Sequence, residues 1–592
     1  MGASGASVTA GRGRRGPSRL GIVGFLLLGV LTSCSIGGGA ATPTTTPRAG
    51  GTAKTVAVRG ATAVPSAFAT PAGIPGSATG QALTPPQRTT VPTPRGEQAL
   101  TLALGGADPS LDPALVRDSN AHFLVHQLFR GLVRLDEQLN VVPDLAERIA
   151  IGEEGRVYTF TLRANAVFHD GKAIDAAAVK YSLERATDPA LGGGASLPGA
   201  TYLNDIAGAA EKLAGRAPEL RGVRVLDART VEIRLDAPRA YFLMKLSYPV
   251  SAVVDAANVR AGGRDWARKP NGSGPFRLER YAEQRLVLRR FDRFYAGTAT
   301  LDRVTFLLGS AASAPMNLYE GNTIDYTRVP VSSVDRVLVD SSPLRAELTI
   351  TPSLSLTYIG FNVTMPPFDD RAVRRAFAQA LNRERVATVS LEGRVALAGG
   401  IVPATMPGGP WEGRPLAYDL AASRASLAAS RYGGAAALPS ARIYGSNGTI
   451  AVSMRKVYER DLGVPLEVIG VDWPEYLAGL GTRAYPAFEI GWIGDYPDPE
   501  NFLALLFGSG SGENYTGYSN AEVDRLLAAA AQEGDPARRR TLYLDAQQII
   551  LDDAVIIPCY YAIDYTLVKP HVKGLTITAQ RILELDGVWI ER

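Results

Sequence analysis

The tetrad Leu31-Thr32-Ser33-Cys34 closes an apolar run that begins at Leu20 and follows Arg12, Arg14, Arg15 and Arg19, with no acid among them. Such a run has the length of a secretory h-region and is too short to cross a bilayer as a helix. Small residues before a cysteine suit a peptidase that cuts there, leaving Cys34 to take a diacylglyceryl group on its thiol and a further chain on its freed amine. Each buried CH₂ contributes about 0.8 kcal/mol, so two or three acyl chains hold a protein on a membrane. Residues 1–34 are therefore expected to be a lipoprotein signal peptide. The folded part then lies outside the cytoplasm, in a periplasm or at the cell exterior. The pair Arg14-Arg15 is a weak twin-arginine export signal, because Gly16-Pro17 follow it.

Residues 35–96 are rich in Thr, Pro, Ala and Gly, with five basic residues and no acid. They cannot bury enough apolar surface to offset chain entropy, which predicts a disordered tether. The remaining 53 basic residues stand against 58 acidic ones in residues 97–592, so the formal charge of +4 belongs to the leader and tether. A mildly acidic body argues against nucleic acid as partner. With 592 residues, 46% of them hydrophobic, two or three domains are expected. The chain has two cysteines, so no disulfide framework is available and Cys559 reads as a packed small hydrophobe.

Gln98 to Leu104 alternates as a strand, and Asn120 to Leu135 reads as a helix. Tyr158 to Arg163 and Thr230 to Asp236 alternate as half-buried strands, and Asp175 to Arg185 carries a single apolar helical face. Arg371 to Leu381 and Ala521 to Ala531 read as helices, the second capped by Ser519 or Asn520. The pattern predicts an α/β body without a solenoid repeat.

Six stretches together carry a resemblance. They are Ser110-Leu-Asp-Pro113 with Leu128-Phe-Arg-Gly-Leu-Val133, then Asn165 to Asp175, then Val179 to Arg185. Asn271-Gly-Ser-Gly-Pro-Phe276 follows, then Phe361-Asn362 with Phe368 to Phe377, and finally Gly491-Trp-Ile-Gly-Asp-Tyr-Pro-Asp-Pro499. In this order the chain resembles the peptide- and nickel-binding family of extracellular solute-binding proteins that serve ABC importers (solute-binding protein family 5). The resemblance implies a two-lobed periplasmic-binding-protein-like fold of type II, with an extra domain inserted in lobe I. Lobe I would comprise residues 97–132, 248–350 and 562–592, the additional domain 133–247, and lobe II 351–561. Thr357 to Phe361 and Tyr560 to Tyr565 read as extended hinge segments.

The resemblance also implies the site. Asp495 would pair with a ligand's α-amino group and Trp492 would form a flat apolar wall, with Tyr496 beside them. The backbone at Gly491 and Ile493 would bond an extended peptide as an added strand. Ala107 would face them from lobe I. The other reading of the same residues packs Trp492 in the core and uses Asp495 to cap the turn that Pro497 begins. Relatives that hold long peptides often carry an arginine shortly before the tryptophan, where this chain has Glu489. A ligand carboxylate would then need another partner, with Arg483 the candidate.

Other chemistry is poorly supplied. His122 and His126 share a helix face at metal-ligand spacing, but Phe123 replaces the glutamate of a zinc-protease motif and no third ligand is evident. His169-Asp170 sits before Gly171, where a turn is the commoner meaning, and Asn271 to Pro275 lacks the lysine of a phosphate loop. There is no G-x-S-x-G elbow for a secreted hydrolase, the rival reading. The resemblance implies a receptor, expected to be monomeric, not an enzyme, with no cofactor and no metal. It would capture a peptide, or a sugar or metal complex, and present it to an ABC permease; a non-transporting sensor is the third reading.

Overall fold

The computed structural model describes residues 96–105, 109–193, 197–282, 284–446 and 449–591. The leader, Cys34, the tether up to residue 95 and Ala107 lie outside the described residues.

The first strand, β1 (Ala99–Leu104), buries Leu100 and Leu102 on one face, as its alternation requires. It belongs to a sheet whose other strands are β2 (Phe276–Ala282), β3 (Arg285–Arg290), β4 (Arg303–Leu308), β5 (Tyr326–Arg328), β6 (Leu348–Pro352), β7 (Ser355–Phe361), β8 (Val395–Leu397), β9 (Ala441–Gly445), β10 (Leu466–Gly470), β11 (Ala487–Ile493) and β12 (Ile556–Val568). Their order is β10-β9-β11-β7-β12-β5-β1-β4-β3-β2, with β6 and β8 also paired to β12. The thirteen-residue β12 is the seam. Its first half pairs with β7 and β8, and its second half with β6 and β5. Separate buried clusters pack on either side of this seam, one around Leu100, Phe123 and Phe306 and others around Phe488, Phe502 and Phe377. The result is a mixed α/β molecule of two lobes joined by extended strands, both candidate hinge segments lying within β7 and β12.

A separate four-stranded antiparallel sheet runs Ala146–Gly152, Val157–Leu162, Thr230–Arg234, Val223–Asp227. The helix α1 (Ser119–Leu128) is capped by Asp118, and α2 (Ala176–Ala186) by Asp175. After β7 come α3 (Arg371–Ala380), α4 (Thr449–Leu462), α5 (Trp473–Gly481), α6 (Glu500–Phe507), α7 (Ala521–Gln532) and α8 (Pro536–Asp552). Of the two candidate caps for α7, Asn520 is the one used.

The helix expected over residues 120–135 ends at Leu128. Phe129 is already extended, and Val133–Leu135 is a strand paired with Val141–Pro143. The cause is the glycine-rich segment 271–275, which crosses the end of α1. Ser273 and Gly274 donate their N–H groups to the Leu128 carbonyl at 3.0 and 2.9 Å, and Ser273 Oγ accepts from Arg130 N at 2.9 Å. The crossing thus satisfies a helix end that would otherwise be orphaned. It requires glycine, since a Cβ on Gly272 would meet the Leu128 carbonyl oxygen at 2.0 Å and one on Gly274 the Gln127 oxygen at 2.3 Å. Gly272→Ala is expected to lower stability by about 3 kcal/mol through forced backbone separation. A urea midpoint indistinguishable from wild type would contradict this close approach.

Candidate functional site

Strand β11 carries the candidate residues toward the gap between the lobes. Its register with β7 places Gly491 opposite Thr357 and Ile493 opposite Ser355. On its other side, β9 pairs with it only at Phe488. The Glu489 carbonyl points to that side, where it accepts the Tyr476 hydroxyl at 2.8 Å. Strand alternation then sends the backbone groups of Gly491 and Ile493 the same way. Among the described residues they have no partner strand there, so an extended chain has an edge to join.

After β11 the chain turns through Pro497-Asp498-Pro499 into α6. Asp498, not Asp495, makes this turn: its carboxylate accepts from Glu500 N at 3.0 Å and is clamped by Arg539 at 2.7 and 2.8 Å. Asp495 is left half-buried at the end of the strand. Asn501, wholly buried on the first turn of α6, organises the rest. Its Oδ1 accepts from Trp492 Nε1 at 2.9 Å and Asp495 N at 3.1 Å, and its Nδ2 donates to Asp495 Oδ2 at 3.3 Å. Gln580 Nε2 donates to the carbonyls of Gly494 and Asp495 at 2.9 and 2.6 Å. Among the described residues no hydrogen bond reaches Asp495 Oδ1.

Across the gap, the Tyr202 hydroxyl donates to Asp495 Oδ2 at 2.8 Å. Tyr202 is stacked on Tyr248, with centroids 3.9 Å apart and planes 14° from parallel. Burial raises the Asp495 carboxyl to about 7, against the opposing bonds from Tyr202 and Asn501, and the charges of Glu513 and Glu500 add to the rise. Glu500 is also pushed upward by burial, partly offset by Lys245.

Trp492 is partly buried with its indole N–H held by Asn501, so it fits a wall. Tyr496 does not line the gap: it has no exposed surface, and its hydroxyl donates to Glu500, backing the site from within the core. Glu489 is turned away. Its carboxylate accepts from Ala451 N at 2.8 Å and Ile450 N at 3.3 Å, capping the positive end of α4. Arg483 is exposed in the turn after α5, before the far end of β11, and its Nε donates to the Asn514 carbonyl at 3.0 Å. It does not replace the missing arginine beside Trp492.

The remaining candidates are structural. His122 is held edge-on to Tyr248 at 5.2 Å, with its pKa lowered to about 3 by burial. His126 Nε2 lies 3.2 Å from Glu584 and 2.9 Å from Arg130 Nη1. His169 donates to the Gly274 carbonyl at 3.1 Å, while Asp170 accepts from Lys172 N in the turn at 2.9 Å. Cys559 is buried, its thiol pushed up to about 12. Among the described residues no group of three His, Cys, Asp or Glu is placed to hold a metal, and no helix is long and apolar enough to cross a membrane.

Tyr202, Asn501 and Gln580 escaped the sequence reading. Asn501 left one signal, a lone amide in the otherwise apolar run Asn501-Phe-Leu-Ala-Leu-Leu-Phe507 after a turn. Tyr202 and Gln580 left none, since they reach Asp495 from 293 and 85 residues away.

Comparison with known proteins gives this geometry a setting. The chain is 28% identical over 498 residues to the periplasmic murein peptide-binding protein MppA of Escherichia coli, covering 81% of this chain and 91% of that protein. It is 29% identical over 501 residues to the probable deoxycholate-binding periplasmic protein YgiS of the same organism, covering 82% and 92%. The solved structure of the murein tripeptide binding protein MppA overlays with a TM-score of 0.76 at 27% identity, over 85% of this chain and 100% of that one. Its unliganded open form gives 0.66 at 28% identity, over 84% and 98%. Residues 140–514 match the model of bacterial extracellular solute-binding proteins, family 5, middle region, and the chain belongs to that family.

Proposed function

We propose that this protein captures a peptide or similar amine-bearing solute between its lobes. The observation that carries this reading is Asp495, a carboxylate with one uncommitted oxygen at the end of a strand whose edge is open. An extended peptide would pair its backbone with Gly491 and Ile493 and set its ammonium against Asp495, with Trp492 as a wall. A charge-assisted bond of this kind is directional and strong, while strand pairing tolerates many side chains. The names of relatives support peptide as the ligand class. Closure would follow from the ligand's greater affinity for the closed state. The closed form would be presented to an ABC permease by a monomer tethered through Cys34 at the extracytoplasmic face, binding without catalysis.

A second reading has one observation behind it. An Asp495 carboxyl held near 7 and walled by aromatic rings also suits a neutral or apolar solute offering a hydroxyl, and one relative is named as probably deoxycholate-binding. Thermal unfolding of the full chain against di- to pentapeptides, oligosaccharides and deoxycholate separates the two. A ligand at 100 times its Kd adds about 2.7 kcal/mol. Peptide-selective stabilisation is expected; stabilisation by deoxycholate or sugars alone would overturn the peptide reading.

A further inference from the structure

We propose that Tyr202 is a selectivity element of this cleft: its hydroxyl holds the Asp495 carboxylate charged and turned toward the ligand, so that a ligand ammonium is preferred to a neutral group. The inference rests on the amine-capture reading above and assigns part of that recognition to a third region of the chain. Tyr202 lies between the strands of the separate four-stranded sheet, in neither run of sequence that builds the β11 turn or β1.

Its placement is built in. The short helix Gly199–Tyr202 packs so tightly against α2 that a Cβ on Gly199 would meet the Ala186 carbonyl oxygen at 2.0 Å. The ring is then fixed by the stack on Tyr248 and the edge contact with Tyr496 at 6.2 Å. A ring so held keeps its hydroxyl on Asp495 Oδ2, with the Tyr248 hydroxyl alongside. With Asn501 Nδ2 on the same oxygen, both neutral donors occupy one side of the carboxylate and leave Oδ1 for the ligand. Donors that bond the ionised form favour it.

The neighbours make this help necessary. Facing Asp495 are Glu500 on α6 and Glu513 in the following loop, both acidic, and Tyr248 and Tyr496, both neutral at physiological pH. Lys245, itself buried, is bound to Asp205 at 2.9 Å and to Glu500 at 3.6 Å. The Tyr515 hydroxyl bonds Glu513, and the charge of Arg117 acts on Tyr515. Hydrogen bonds from Tyr202 and Asn501 are therefore the direct stabilisation of the Asp495 charge before a ligand arrives.

Tyr202→Phe removes the hydroxyl and keeps the ring for stacking. Two measurements on the full chain test it. In the ligand-free protein, ¹³C-aspartate spectra assigned with Asp495→Asn give the Asp495 titration midpoint, expected to rise by about one pH unit in Tyr202→Phe. In calorimetry with Ala-Ala-Ala, affinity is expected to fall about fivefold at pH 7 and less than twofold at pH 9, where Asp495 is ionised in both proteins. N-acetyl-Ala-Ala-Ala is expected to be bound equally by both. An unchanged midpoint overturns the inference whatever the peptide does, and so does a loss of affinity equal at the two pH values. A raised midpoint in a protein whose wild type binds no peptide overturns the amine-capture reading and leaves the Tyr202 bond to Asp495 standing. If Tyr202→Phe does not fold, Tyr202→Gln supplies a neutral donor without the ring and is expected to restore a midpoint near that of wild type; failure to do so overturns the inference.

Discussion

Asp495→Asn is expected to weaken binding of a free-amino peptide by on the order of 100-fold, because it leaves an ammonium desolvated without its counter-charge. Truncating one partner of a buried charge pair costs about 2–5 kcal/mol, and 100-fold corresponds to about 2.7 kcal/mol. The same variant should lose a pH dependence that wild type shows. Burial is the main cause that pushes the Asp495 carboxyl up to about 7. A bound ammonium favours the ionised form and lowers the midpoint in the complex. Proton and ligand therefore compete below pH 7, and affinity should fall by up to about tenfold per pH unit there, then fall again above about pH 8 as the peptide's own α-amino group, with a pKa of about 7.7–8.0, loses its charge. Calorimetry between pH 5 and 9 reads both effects. An asparagine variant within threefold of wild type at pH 8 would remove Asp495 from recognition.

Lys245→Met should be among the most destabilising single changes in the molecule, at about 3 kcal/mol or more. Lys245 is 2% exposed and lies 2.9 Å from Asp205 and 3.6 Å from Glu500, both nearly as buried. Burial alone would raise Asp205, yet Lys245 and Arg239 together hold it below the usual carboxylate range. Taking one partner from a buried cluster leaves uncompensated charge, which is far worse than never having built the pair. Asp205 keeps Arg239 at 2.7 Å, so the injury falls chiefly on Glu500. Its carboxyl, already raised by burial, rises further without Lys245. A carboxyl with a raised folded-state pKa contributes stability at low pH that is lost as pH rises, so the deficit should be larger at about pH 7 than at about pH 5. Lys245→Met combined with Glu500→Gln should recover part of it. Chemical denaturation at the two pH values measures this, and a pH-independent deficit would argue against Glu500 as the orphaned charge.

What was legible in the sequence was local. The helix that starts after Asp175, the cap at Ser519 or Asn520 before α7 and the Asp-Gly turn after His169 all declare themselves within a few residues, because helix starts and turns are short-range chemistry. The turn from Pro497 to Pro499 was legible for the same reason, whereas the pairing of an extended ligand with Gly491 and Ile493 was an implication of the resemblance and not of local pattern. Where the outcome depended on a distant partner, local pattern misled. Apolar spacing runs on past Leu128, but segment 271–275 takes the Leu128 carbonyl and the backbone departs at Phe129. Tyr496 looks like any aromatic beside a binding carboxylate until Glu500 is seen to claim its hydroxyl from inside. Arg483 and Glu489 were weighed by their distance in sequence from Trp492, whereas strand direction and a helix terminus decided where each went.

The shared strand β12 has a consequence for how the chain comes into being. Residues 556–568 complete the sheets of both lobes, pairing with β7 some 200 residues earlier and with β5 some 240 residues earlier. A chain delivered amino end first, from a ribosome or through an export channel, cannot finish either lobe until almost its last residues arrive. Pairings of such long range are slow to form, because loop closure must precede any gain from contact. The strand that joins the lobes thus also delays their folding, and keeps the chain threadable for as long as it is still being delivered.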